Sequence, residues 1–310
     1  MTFSRRLSSS LALAAAATVA GCGHGHAAGP AAAAGPLTVE RLAADESNVN
    51  AYVLADGAAT LVIDATRNPT DGARVAALAR AHAGPVTVLV THGHPDHFLG
   101  LGALQAAIPG LRIVVARAEI KDDILGFATF MTEQGWLEGL PAMKPRTAAN
   151  PGGFDYGAIE VLAEDRITFP RGAVVELDAS YDATEAAHMT TVYAPTANAL
   201  FTGDLAYHDV HNWLGVGVTR ASAEAWQRTL DQLAARYGAR TPTVYPGHGA
   251  PGDVGLFAAN RAYIAALLAV VDGGADEAAA TKAMIERYPD HANRDFLLMM
   301  SVANRAALAR

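Results

Sequence analysis

The stretch Thr91-His92-Gly93-His94-Pro95-Asp96-His97 decides how this chain is read. In extended backbone, residues two apart point the same way, so His92 and His94 face one ion together. Gly93 and Pro95 favour a turn, which then presents Asp96 and His97 to a second ion. Imidazole nitrogen and carboxylate oxygen suit Zn²⁺. A polar loop with capping residues is the competing reading. Metal chemistry explains better why ligand-type side chains crowd so densely here.

Working outward, residues 86–90 form an apolar run, the mark of a strand buried on both faces. Strands at 50–54 and 59–64 and a helix over 70–81 precede it, the helix announced by Asn68-Pro69. A helix at 100–108 and a strand at 112–116 follow. Further strands are expected at 159–162, 174–177, 192–194, 200–202 and 243–245, with a helix over 222–237 before the last. Beyond Pro251 the pattern is helical, over 257–271, 277–287 and 293–308. Residues 86–91 and 243–246 are both β segments that run straight into histidine. Ligands delivered from two strand ends place a site at one edge of a sheet sandwich.

The chain has 310 residues, 51 % of them hydrophobic and 17 % charged, with a formal charge of −8. That composition supports a large core and excludes disorder for the bulk of the chain. Lysine occurs only at Lys121, Lys144 and Lys282, and no basic run exists, which argues against nucleic acid as partner. A lone cysteine, Cys22, excludes an internal disulfide framework and a multi-thiolate zinc site.

Residues 1–21 read as an export signal. Arg5 and Arg6 precede an apolar run over 11–20, too short for a bilayer span of roughly 20 residues but suited to a signal-peptide core. Val19-Ala20-Gly21-Cys22 resembles a bacterial lipobox, which implies lipidation of Cys22 and a periplasmic, membrane-anchored protein. Cleavage nearby with Cys22 incidental is the alternative. Residues 22–36 then form a flexible Gly/Ala/Pro tether in which His24 and His26 are solvated.

From the 91–97 stretch onward, the chain resembles the metallo-β-lactamase superfamily over about residues 37–255. Three later motifs carry the resemblance: His188 in Glu185-Ala186-Ala187-His188, Asp204 in Phe201-Thr202-Gly203-Asp204, and His248 in Pro246-Gly247-His248-Gly249. The family implies an α/β fold, the αββα sandwich, with residues 256–310 as a helical C-terminal extension. It also implies two Zn²⁺ per chain, with Fe or Mn as alternatives. His92, His94 and His188 would hold one ion; Asp96, His97 and His248 would hold the other, with Asp204 between them. Histidine at position 94 argues against the oxygen-reducing diiron branch, which has a glutamate there. Asp204, where some β-lactamases have a cysteine and others no bridging acid, makes this chain resemble more the hydroxyacylglutathione hydrolase and lactonase side.

The implied activity is hydrolysis of an ester, lactone, thioester or β-lactam carbonyl by a metal-bridging hydroxide, with Asp96 relaying the proton. An iron-dependent sulfur dioxygenase and a non-catalytic zinc-binding lipoprotein are the competing functions. Asp64, at a strand end, reads as a support for the metal loop or as a turn residue. Residues 127–153, with Phe127, Phe130 and Trp136, read either as a lid favouring a partly apolar small-molecule substrate or as a helix packed on the core. Tyr207, His208, His211 and Trp213 are candidates for the opposite wall.

Overall fold

The computed structural model describes residues 35–45 and 48–309; the expected signal segment 1–21, Cys22 and nearly all of the tether 22–36 lie outside the described residues. The first sheet starts as an antiparallel meander of β1 (Thr38–Ala43), β2 (Asn50–Ala55) and β3 (Thr60–Ile63). Helix α1 (Pro69–Arg80) starts at the Asn68 cap, whose side chain accepts from the Asp71 amide. It carries the chain back so that β4 (Val86–Leu89) pairs parallel to β3. The two short helices α2 (Pro95–Phe98) and α3 (Leu101–Ala107) lead to β5 (Arg112–Val115). The longer α4 (Ala118–Glu133) leads to β6 (Glu160–Val161), again with parallel pairing. Such connections need a crossover helix.

The second sheet has the order β11-β10-β9-β8-β7. It consists of β7 (Arg166–Thr168), β8 (Val174–Asp178), β9 (Thr191–Ala194), β10 (Ala199–His208) and β11 (Thr243–Gly249). Helix α5 (Arg220–Tyr237), opened by a Thr219–Ser222 capping box, makes the parallel crossover from β10 to β11. The remaining helices are α6 (Gly255–Asp272), α7 (Glu277–Arg287), α8 (Met299–Ala303) and α9 (Arg305–Leu308).

Strand alternation builds the layers. On β2, Tyr52 and Leu54 face the second sheet and pack with Val192 and Phe201, while Ala51 and Val53 face Val75, Leu101 and Ile124 of the helices. On β10, Phe201 joins the inter-sheet core and Leu200 turns outward to Trp226, Leu230 and Leu267. Both faces of both sheets are therefore covered, giving helix, sheet, sheet, helix. The C-terminal helices share the outer core of the second sheet, so the extension is one body with the sandwich.

Of the two readings of residues 127–153, the packed one fits its first part and its buried side chains: α4 runs through Glu133, and Met131, Leu137 and Met143 are buried in the first core. Phe130 and Trp136 stay outside, 45 % and 61 % exposed. The single helix expected over 293–308 is broken into a π-helical turn at Arg294–Leu298, α8 and α9. At the second break the Asn304 side-chain amide donates to the carbonyls of Leu214, Gly215 and Val218, which ties the extension to the loop after β10.

Candidate metal centre

The turn after β4 is shaped by one carboxylate. Asp64, just past β3 and at a left-handed φ of 63°, accepts from the Thr91 amide at 2.8 Å, the Thr91 hydroxyl at 2.9 Å and His97 Nδ1 at 2.8 Å. Thr91 Oγ1 lies 3.0 Å from His92 Nδ1. With the Thr91 proton committed to Asp64, its oxygen accepts from the ring. Both rings are thereby held by Nδ1 and turn Nε2 towards the opposing groups. Gly93 is required because a Cβ there would fall 2.6 Å from Asp123 Cβ on α4. Pro95 starts α2, which carries Asp96 and His97.

The second sheet supplies the opposing groups from neighbouring strands. Gly203 adopts φ 51°, turning β10 so that Asp204 points at the turn. A Cβ on Gly247 would lie 1.8 Å from Asp204 Oδ1, so only glycine lets that carboxylate pass. Tyr207 donates to Asp204 Oδ2 at 2.7 Å, and its ring stacks on His248 at 4.9 Å.

Ligand-type atoms converge in two groups, each with its atoms within 4.8 Å of one another: His92, His94, Glu185 and Asp204, and then Asp96, His97 and His248. Asp204 spans both, 3.2 Å from His97 Nε2, 3.1 Å from His248 Nε2 and 4.0 Å from His92 Nε2. His92 Nε2 and Glu185 Oε2 are buried with no hydrogen-bond partner, while His97 Nε2 meets only Asp204 Oδ1 and Glu185 Oε1 only His94 Nδ1, all within the cluster. Buried polar atoms left bare are costly, and a divalent cation satisfies these; the donor set fits a metal pair.

His188 does not join them. Its Nδ1 pairs with Asp123 at 2.8 Å on a side chain 43 % exposed. Glu185, three residues earlier, occupies the inward position instead, 2.7 Å from His94 Nδ1 and 3.7 Å from His92 Nε2. In sequence the motif Glu185-Ala186-Ala187-His188 points to its histidine as the donor, whereas the fold turns its glutamate inward. The usable signal was that Glu185 is the only acid between Asp182 and Asp204.

Charge orders the centre. Burial pushes the Glu185 carboxyl up to about 7 against the pull of His94. Burial would also raise Asp204 and Asp96. His248 and His97 overcome it at Asp204, and the His248 hydrogen bond leads at Asp96, so both stay below the usual carboxylate range. Desolvation and His97 keep His92 well below the ordinary imidazole value, which suits a neutral donor. At His248 desolvation loses to Asp204 and Asp96, and the ring is raised to about 10. Metal entering such a site displaces protons.

Around the mouth, the His94 ring has Phe127 and Trp213 as edge-on neighbours, each at 6.1 Å. Phe127 continues into Phe130 and Trp136, and Trp213 backs onto Phe296 of the extension. Gly215 makes room for Trp213: a Cβ there would lie 2.5 Å from the indole. Of the other wall candidates, Tyr207 lies under Asp204, His208 bonds the Ala250 carbonyl, and His211 is buried against Tyr263.

The comparisons with known proteins agree with this architecture. The sequence profile described as the metallo-beta-lactamase superfamily matches residues 44–248. This chain belongs to that superfamily, most of whose members are metal-dependent hydrolases. A metallo-beta-lactamase family protein from Thermus thermophilus superposes with a TM-score of 0.58 at 18 % identity, over 87 % of this chain and 93 % of that one. The DIM-1 metallo-beta-lactamase gives 0.51 at 16 % identity, over 75 % and 98 %. A hydroxyacylglutathione hydrolase of Stenotrophomonas maltophilia (strain R551-3) is 44 % identical over 59 residues, 19 % of this chain and 21 % of that protein. The chain thus matches about a fifth of that relative's length.

Proposed function

We propose that this protein is a dinuclear zinc hydrolase of a partly apolar ester, lactone, thioester or β-lactam. The observation that carries the reading is the convergence of buried imidazole nitrogens and carboxylate oxygens on two adjacent points. His92, His94, Glu185 and Asp204 would hold one ion; Asp96, His97, His248 and Asp204 would hold the other. A bound pair supplies Lewis acidity and water acidified to near neutrality.

The chain's own residues supply the rest. Asp96, held ionised, is in place to accept a proton and pass it to the departing atom. Asp64 and Thr91 keep the rings of His97 and His92 fixed while charge changes. Tyr207 holds the Asp204 carboxylate in one rotamer. Phe127 and Trp213 flank the most accessible ligand, His94, and would seat an apolar acyl group or ring. We also propose export and anchoring through lipidated Cys22, on the Val19–Cys22 pattern.

The test is to assay the purified chain, metal-loaded and chelator-stripped, against lactone, thioester and β-lactam panels. The expected result is metal-dependent turnover of at least one class, with about two zinc ions per chain. Two bound ions without turnover on any panel would favour the non-catalytic reading, and oxygen consumption with bound iron the dioxygenase. Membrane partition of wild type but not Cys22→Ser tests the anchor.

A further inference from the structure

We propose that Glu185 gives the first site a terminal carboxylate in place of a third histidine, making the two sites chemically equal and shifting the pair towards harder ions, Mn²⁺ or Fe²⁺, relative to Zn²⁺. The inference rests on reading the cluster as a dinuclear metal centre.

The first site has His92, His94 and Glu185; the second has His97, His248 and Asp96; Asp204 is shared. Each half is therefore two imidazoles and one carboxylate. The Glu185 side chain is fully buried; Oε1 meets only His94 Nδ1 at 2.7 Å, a ring of the same cluster, and Oε2 has no hydrogen-bond partner, so the carboxylate is aimed into the cluster where a cation would satisfy it. His188 is already paired with Asp123 and lies part-exposed, so it is not a donor waiting to swing in.

Carboxylate oxygen is harder than imidazole nitrogen, and ligand type rather than raw affinity sets metal choice in such sites. Glu185 also adds a negative charge where a histidine would add none. Both effects weigh more for Mn²⁺ and Fe²⁺, which bind imidazole weakly, than for Zn²⁺. Two imidazoles with one carboxylate is a set that serves Fe²⁺ and Zn²⁺ alike.

The experiment equilibrates the full chain and three variants, Glu185→Gln, Glu185→His and His188→Ala, with buffered mixtures of Zn²⁺ and Mn²⁺, and counts both metals by mass spectrometry. Wild type and His188→Ala should hold about two ions, and Glu185→Gln about one. Glu185→His should keep two while its Mn-to-Zn ratio falls about tenfold. X-ray absorption of the zinc-loaded forms gives a second readout, a rise in imidazole count for Glu185→His. Two ions in Glu185→Gln, an unchanged ratio in Glu185→His, or loss of an ion from His188→Ala would overturn the proposal. If Glu185→Gln does not fold, the Glu185→His ratio decides alone. A wild type that binds no metal overturns the metal reading as well, whereas two ions and full turnover in Glu185→Gln overturn only the role of Glu185.

Discussion

Buried histidines occur in two regions of this molecule, and His97 and His248 in the centre are polarised oppositely to His211 beside the extension. In the centre, His97 and His248 face the carboxylates of Asp204, Asp64 and Asp96, which overcome desolvation and raise both rings. In the loop after β10, packed against the extension, His211 is equally inaccessible but faces the Tyr263 hydroxyl at 2.9 Å and the ring of His291 at 5.5 Å. There burial dominates, His291 and Arg294 reinforce it, and the ring falls to about 4. Depth alone does not make a metal ligand. What distinguishes the two regions is the company of carboxylates, which prepares the centre to exchange protons for a cation.

The largest test of that contrast removes the shared carboxylate. Asp204→Ala should strip metal from both halves and lower kcat by at least about 10³-fold, whereas His211→Phe should leave metal content and kcat within about twofold. Metal analysis beside steady-state kinetics decides it; full loading of Asp204→Ala, or metal loss from His211→Phe, breaks the contrast. Next in size is Asp64→Ala, which orphans His97 Nδ1 and both Thr91 donors. Metal affinity should fall about 10–100-fold, measured by competition with a chromophoric chelator.

How far the sequence alone reaches differs along the same lines. His92 to His97 are contiguous, so backbone geometry brings them together and a reader can see it. Asp204 and His248 are marked by Gly203, which takes a positive φ and leaves room for Thr91, and by Gly247, whose missing side chain clears the carboxylate's path. Glu185 and His188 sit in the irregular stretch between β8 and β9, where no periodicity says which side chain turns inward. That choice is made by long-range contacts: the His92–Met189 bridge and the Asp123–His188 pair. The strand β1 is hidden in the sequence because only one of its six residues is buried, and β7 because it has three residues and none buried. The start of α4 is hidden because Arg117 offers no side-chain cap.

Acid separates the two histidine regions next. His211 is depressed in the folded state, from 6.5 to about 4. Its contribution to stability is therefore complete above about pH 6.5 and lost as pH falls towards 4, because the unfolded chain takes up the proton first. At pH 5 the loss amounts to ~2 kcal/mol at most. Urea unfolding of the metal-loaded chain at pH 7.5 and 5 should show this extra acid loss in wild type and not in His211→Phe. Equal acid sensitivity in both would mean His211 is not the group that titrates.

The smallest effect sits where the two regions meet. Trp213 is two residues from His211 yet turns the other way, with its ring 6.1 Å from the His94 ring and backed by Phe296 at 5.9 Å. Trp136 is at the end of the opposite aromatic row, separated from His94 by Phe130 and Phe127. If apolar substrate is seated between the rows, contact with the inner ring counts for more than contact with the outer one. Removing an indole contact costs roughly 25 cal/mol per Å² of apolar surface, so Trp213→Ala should lower kcat/KM for an apolar substrate by about tenfold, an effect of ~1.4 kcal/mol. Trp136→Ala should cost about threefold or less, and a small polar ester should be nearly indifferent to both. Measured on metal-replete enzyme, a larger loss from Trp136→Ala would move the seat outward along α4. Equal losses on polar and apolar substrates would instead mean that Trp213 matters for packing the extension onto the loop after β10, and that the substrate never touches it.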